Sequence, residues 1–279
     1  MAEQRSLESQ GLKLFQQGHF AKAVEVFSAL IAEQPSAAAY CNRGAAHWQL
    51  GQYKKAIEDC TAAIELDPNM SQAYHNRGNV RNSLQEYQLA IQEYSKAISI
   101  NPMHYQPHFS RGNSHRYLGQ YELAIVDYHN ALKLHPGYFD AWLFLGICFN
   151  HIHQPKDALG CFEKAISIKP ESQEAVMQLS LALEAEGRVS DAHRVLMDYL
   201  RAAIAPSTDD RHLVQKAADR LGAKLQAAEK SSIGNLSAIP YDRLGVTQGE
   251  RIQGTSYSVG DMIGTHWHVI SLIGRGGMG

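Results

Sequence analysis

The stretch Tyr40-Cys41-Asn42-Arg43-Gly44 returns as Tyr74-His75-Asn76-Arg77-Gly78, and the likeness extends outward from both. Glycine stands at Gly11, Gly44, Gly78, Gly112 and Gly146. Alanine stands at Ala23, Ala56, Ala90, Ala124, Ala158 and Ala192, and proline at Pro35, Pro68, Pro102, Pro136 and Pro170. Each series steps by 34 residues after a first step of 33, so all three share one deletion near Ser36. Three residue types that keep one period and one deletion define an internal repeat, and a repeat decides the architecture before any single element does.

Each unit reads as two helices. One runs from Ala38 through Gly44 to Leu50, and a second from Tyr53 past Ala63 to Leu66. Apolar residues at Ala56, Ile57, Cys60, Ala63 and Ile64 recur at helical spacing rather than at the alternation of a strand. Gly51-Gln52 and Gly119-Gln120 separate the two helices of their units. Gly44 and Ala56 let the helices approach closely, and Pro68 stops the second one.

This period, with its aromatic, glycine, alanine and late proline, resembles the tetratricopeptide repeat. The segments around Tyr40–Gly44 and Tyr74–Gly78 match that family's Tyr-x-Asn-Arg-Gly form. The resemblance covers residues 4–206 as six repeats: 4–36, 37–70, 71–104, 105–138, 139–172 and 173–206. It implies an all-α superhelical solenoid. Departures are Arg81 where the family prefers an aromatic, His153-Gln154-Pro155 in the fifth turn, and Ser180 in place of the sixth glycine. Residues 207–230 read as a capping helix with Leu213, Val214, Ala217, Leu221 and Leu225 on one face. Residues 231–260 read as a glycine-rich linker.

Composition bounds the function. The chain has 279 residues, 44% of them hydrophobic, and its 26 Lys and Arg against 28 Asp and Glu leave a net charge of -2. That balance excludes a generally basic nucleic-acid coat, so no nucleic-acid partner is expected. Four cysteines do not make a disulfide scaffold. The polar start Met1–Ser6 has no apolar core of a secretory signal, and no run is long enough to span a membrane. A cytoplasmic protein without a membrane partner in this segment is the expectation.

No constellation argues for catalysis within the repeats. His151/His153 and His266/His268 lack the further ligands that a metal needs, so no metal is expected. Cys60 and Cys161 read as small buried hydrophobes. The recurrent Phe20, Tyr53, Tyr87 and Tyr121, and the second series Tyr94, Tyr128 and Phe162, read as core.

The family resemblance places first helices on the concave face. The groove residues it implies are Asn42, Gln72, His75, Asn76, Asn79, Asn82, Gln106, Ser110, Asn113, Arg116 and Tyr117. Carboxamides offer both donor and acceptor, and asparagine is a poor helix former that recurs here. An extended peptide or protein segment is therefore the expected partner. The Lys and Arg clamp of the family's chaperone-tail binders is not supplied at Cys41, Ala45, His75 or Ser110.

The last residues, Ile273-Gly274-Arg275-Gly276-Gly277-Met278-Gly279, which the strand-like His266–Ile273 enters, resemble the glycine-rich loop of bacterial-type serine/threonine protein kinases. By that resemblance 261–279 starts a kinase-like domain, the loop amides cover ATP phosphates, and ATP and magnesium serve a longer parent chain. No cofactor or catalytic residue is expected in the chain as given. A dinucleotide-binding fingerprint and a plain glycine-rich tail on a stand-alone adaptor are the competing readings.

Overall fold

The computed structural model describes residues 2–202 and 208–237, which form thirteen α-helices and, among the described residues, no strand. The helices are α1 (Ala2–Gln16), α2 (Phe20–Glu33), α3 (Ala37–Gln49), α4 (Tyr53–Leu66), α5 (Ser71–Ser83), α6 (Tyr87–Ile100) and α7 (Tyr105–Tyr117). They continue as α8 (Tyr121–Leu134), α9 (Phe139–His151), α10 (Pro155–Ile168), α11 (Gln173–Ala185), α12 (Val189–Arg201) and α13 (Thr208–Ser237). The first twelve are paired into six hairpins, each packed on the next.

Within a hairpin the turn is set by one left-handed residue after the first helix. Gly51 and Gly119 hold it at φ 70° and 71°, a conformation glycine adopts without steric cost. Between hairpins, Asn69 N–H donates to Asp67 Oδ1 at 3.0 Å and Met103 N–H to Asn101 Oδ1 at 3.2 Å. These side-chain turns carry the chain across Pro68 and Pro102 into the next unit. Ser36 and Ser172 cap α3 and α11 by accepting from Ala39 N–H and Ala175 N–H.

The repeated glycine has a larger task than close helix approach. A Cβ at Gly78 would lie 2.6 Å from Tyr94 Cε1, and one at Gly146 would lie 2.5 Å from Phe162 Cε1. In four hairpins the glycine of the first helix, Gly11, Gly78, Gly112 or Gly146, thus seats an aromatic ring of the second. Phe27, Tyr94, Tyr128 and Phe162 are fully buried in this way, each worth roughly 1.5–3 kcal/mol of transfer energy. In the second hairpin Cys60 stands at this register, 3.0 Å from a Cβ built at Gly44, and in the sixth Leu196 does, opposite Ser180.

The other aromatic series is not core. Phe20, Tyr53, Tyr87 and Tyr121 are only half-buried, because they sit at helix starts on the edge of the stack. Tyr87 stacks on Tyr117 and Tyr121 on His151, both from the next hairpin.

The first helices also touch one another: α1 on α3, α3 on α5, α5 on α7 and α9 on α11. The even-numbered helices show no comparable packing. The stack is therefore tighter on the side of the first helices, which is the inner side of a curved solenoid.

The described residues up to Gln226 form one compact unit, and those from Ala227 onward belong to a second. In the first, Val214, Ala218 and Leu221 of α13 close the apolar end formed by Leu183, Leu196, Tyr199 and Leu200. Leu213 points to solvent instead, because the buried face runs through residues 214, 218 and 221, a spacing that leaves 213 on the other side. The helix continues to Ser237, through residues 231–237 of the segment expected to be linker. The remaining expected linker, residues 238–260, and the kinase-like stub 261–279 lie outside the described residues.

Candidate functional site

The inner faces of α3, α5 and α7 are built on a ladder of partly buried charge. Arg43 donates bidentately to Asp59 on α4 at 2.9 and 2.7 Å, and its Nη1 reaches Ser28 on α2 at 3.1 Å. Arg77 repeats the pattern with Glu93 and Thr61, and Arg111 with Asp127 and Ser95. Each arginine therefore ties its own second helix to that of the preceding hairpin. Fork-to-carboxylate geometry fixes the rotation of each first helix about its axis. Arg81, at the position that departs from the family's aromatic, pairs with Glu86 and Glu93. His47 and His115, at the same register in the neighbouring hairpins, bond Gln52 and Gln120 through Nδ1.

With the rotation fixed, the groove residues divide into free and engaged. Asn79 and Asn113 occupy one register of α5 and α7. Tyr94 Oη donates to Asn79 Oδ1 at 2.8 Å, and Tyr128 Oη to Asn113 Oδ1 at 2.7 Å. Each tyrosine pins the carbonyl end of a carboxamide and leaves its Nδ2 as an oriented donor. Asn82 Oδ1 accepts from Ser114 Oγ across the two helices at 2.9 Å. Asn79, Asn82, Ser110 and Asn113 line one cavity of about 140 Å³ together with Trp48, Ser83 and Tyr94. Trp48 is held across it by donating from Nε1 to Ser83 Oγ.

Asn76 is placed differently. It is buried, its Oδ1 accepts from Gln72 Nε2 at 2.8 Å, and its Nδ2 donates toward Cys41 O and Sγ. Both ends are spent, one within α5 and one across to α3, so Asn76 supports the groove and does not line it. Asn42 is half-buried on α3 and Gln72 exposed at the start of α5. Gln106, half-buried, is a hydrogen-bond partner of His104. Tyr117 is exposed and stacks on Tyr87 at 5.1 Å between centroids. Arg116 lies over the rings of Tyr117 and Phe144, at 4.7 and 4.6 Å.

The site's titrations are governed by burial. His75, with Nε2 3.2 Å from Ser110 Oγ, is held down to about 3 by burial and by neighbouring His104, so it is neutral. Burial pushes the thiols of Cys41, Cys148 and Cys161 up to about 12 and raises the Tyr94 and Tyr128 hydroxyls. These are protonated groups suited to hydrogen bonding and packing, not nucleophiles. Among the described residues no three His, Cys, Asp or Glu converge as a metal site, and no helix is long and apolar enough to cross a membrane. The string Ile273, Gly274, Arg275, Gly276, Gly277, Met278 and Gly279 lies outside the described residues.

The tyrosine-pinned amides and the arginine ladder were both missed by reading residue types alone. A signal existed for each. Arg43, Arg77 and Arg111 each precede an acid, Asp59, Glu93 and Asp127, by sixteen residues. Asn79 and Asn113 each precede a buried tyrosine by fifteen.

The model of the tetratricopeptide repeat matches residues 37–70, 71–104 and 105–138, the three hairpins that carry the ladder. The rat mitochondrial import receptor subunit TOM34 is 41% identical over 64 residues, 23% of this chain and 21% of that protein. A rice (subspecies japonica) SGT1 homolog is 40% identical over 65 residues, 23% of this chain and 18% of that protein. The matched stretches thus span about a fifth of these relatives. Among solved structures, YrrB, described as a TPR protein with an unusual peptide-binding site, superposes with a TM-score of 0.57 at 21% identity. That superposition covers 69% of this chain and 99% of YrrB. Residues 37–138 are three tetratricopeptide repeats, and the fold that carries them is a tetratricopeptide-repeat solenoid.

Proposed function

We propose that the protein is an interaction scaffold that binds an extended peptide or protein segment along the inner faces of α3, α5 and α7. One observation carries this reading: Asn79 and Asn113 present oriented Nδ2 donors at equivalent positions of consecutive hairpins, above a cavity lined by further amides and hydroxyls. An extended backbone presents carbonyl groups at regular intervals, and pinned carboxamides meet them without reordering. The matched repeats are those of proteins named as an import receptor subunit and an SGT1 homolog, which supports a binding role over a catalytic one. The setting proposed is cytoplasmic.

The test is selection of displayed peptides on the full chain. Asn79→Ala with Asn113→Ala should weaken the selected binders by about 0.5–1.5 kcal/mol per lost hydrogen bond. Glu122→Ala, exposed on α8, should leave them unchanged. Equal losses at both faces would remove the groove from the reading.

The string Ile273–Gly279 supports a second, separate reading, in which these repeats precede a serine/threonine kinase domain that uses ATP and magnesium. The coding sequence beyond Gly279 tests it. A lysine among small apolar residues within about twenty positions, and a His-Arg-Asp-type loop about a hundred later, are expected.

A further inference from the structure

The helices α3, α5 and α7 contain not one aspartate or glutamate. Four of their five arginines are neutralised from outside: Arg43 by Asp59, Arg77 by Glu93, Arg81 by Glu86 and Glu93, and Arg111 by Asp127. Arg116 is the exception. No carboxylate or carbonyl of the described residues pairs with it, and its buried Nε has no hydrogen-bond partner. It is nonetheless held in place. The guanidinium lies over Tyr117 and Phe144, and its remaining interaction is with the Tyr128 hydroxyl, which in turn donates to Asn113. A cation partly withdrawn from water and braced by two rings keeps its attraction for an anion, because the field around it is weakly screened.

We infer that Arg116 is the anchor for one carboxylate of the bound segment, seated one helical turn along α7 from the Asn113 donor. This rests on the groove reading above and narrows it from any extended segment to one that carries an acidic group. A planar guanidinium presents two parallel donors to a carboxylate. The carboxylate comes either from an Asp or Glu side chain or from a chain terminus.

Two random twelve-residue display libraries on the full chain separate the sources, one with the peptide C-terminus blocked by fusion and one with it free. Binders from the blocked library should carry an Asp or Glu at a fixed position. Replacing it by Asn or Gln should weaken binding to the native chain about tenfold and to the Arg116→Gln protein not at all. If only the free library yields such binders, and amidation of the terminus costs the same tenfold, the terminal carboxylate is the ligand and the anchor stands. Arg116→Lys, which keeps the charge and loses the fork, should retain part of the discrimination; its melting curve reports whether the ring contacts survive. Binders that depend on Asn79 and Asn113 yet show no preference for an acid would overturn the anchor and leave the groove reading intact. Binders indifferent to the asparagines, or none at all, would overturn both.

Discussion

Gln85 and His153 hold φ 61° and 58° at the turn position that Gly51 and Gly119 fill elsewhere. The left-handed region costs an L-residue roughly 1–2 kcal/mol, while glycine returns part of that gain through unfolded-state entropy. Gln85→Gly and His153→Gly should each raise stability by up to about 1 kcal/mol in urea unfolding, and a loss at both positions would show that these side chains compensate locally. The seated glycines make the opposite prediction, and a graded one. Gly78→Ala and Gly146→Ala press a methyl into a ring held by packing, so about 1–3 kcal/mol should be lost. Gly44→Ala meets the smaller Cys60 Sγ at 3.0 Å and should cost less. Equal losses at all three would mean that helix spacing, not ring seating, sets the requirement.

Between helices, the energetics turn on buried polar groups that must stay matched. Asp127 is 2% exposed and takes both forks of Arg111. Arg111→Met strands that carboxylate and should cost about 3–5 kcal/mol, whereas Arg111→Met with Asp127→Leu should recover most of it. Recovery absent from the double variant would mean that the Ser95 bridge dominates. His75, between α5, α6 and α7, adds a pH dependence. Its folded value of about 3 lies below the ordinary 6.5, so the unfolded chain binds the extra proton. Stability attributable to His75 is complete above pH 6.5 and falls as pH drops toward 3. The pH dependence of the urea midpoint over that window should flatten in His75→Phe; an unchanged slope would assign the effect to His104, His108 and His129, whose values are also lowered by burial. The hairpins themselves are legible in the sequence, because Gly, Ala and Pro each answer a local steric demand at a fixed period. The site is legible only by register. Asn76 and Asn79 are equally plausible groove residues on paper, yet one spends both ends on Gln72 and Cys41 while the other is pinned by Tyr94 with a donor to spare. That difference is decided by distances across helices, which spacing along one helix does not encode.

Over the whole stack, each hairpin buries its apolar face only on its neighbours, so the last one needs a lid. That lid is α13. Val214, Ala218 and Leu221 cover Leu183, Leu196 and Leu200, and Arg220 and Lys224 both close on Glu184 of α11. The two parts are unequal. Glu184 lies beside exposed cations, and its depressed pKa reflects ion pairs that water and salt screen, so Glu184→Gln should lower stability only slightly, with the difference shrinking in high salt. Ending the chain after Ala202 instead uncovers a leucine-rich surface. Three buried side chains of the lid and their partners lose contact together, and the exposed patch is of the kind that drives association. The truncated protein should unfold at a lower temperature, with α11 and α12 losing amide protection first, while α3–α8 keep theirs, since contacts between nearest neighbours leave distant hairpins unaffected. It should also oligomerise with rising concentration. Replacing Leu196 and Leu200 by serine in the truncated chain should suppress that association without restoring stability. Uniform loss of protection from α1 to α12 would mean that the solenoid unfolds as one cooperative body and that α13 stabilises all of it.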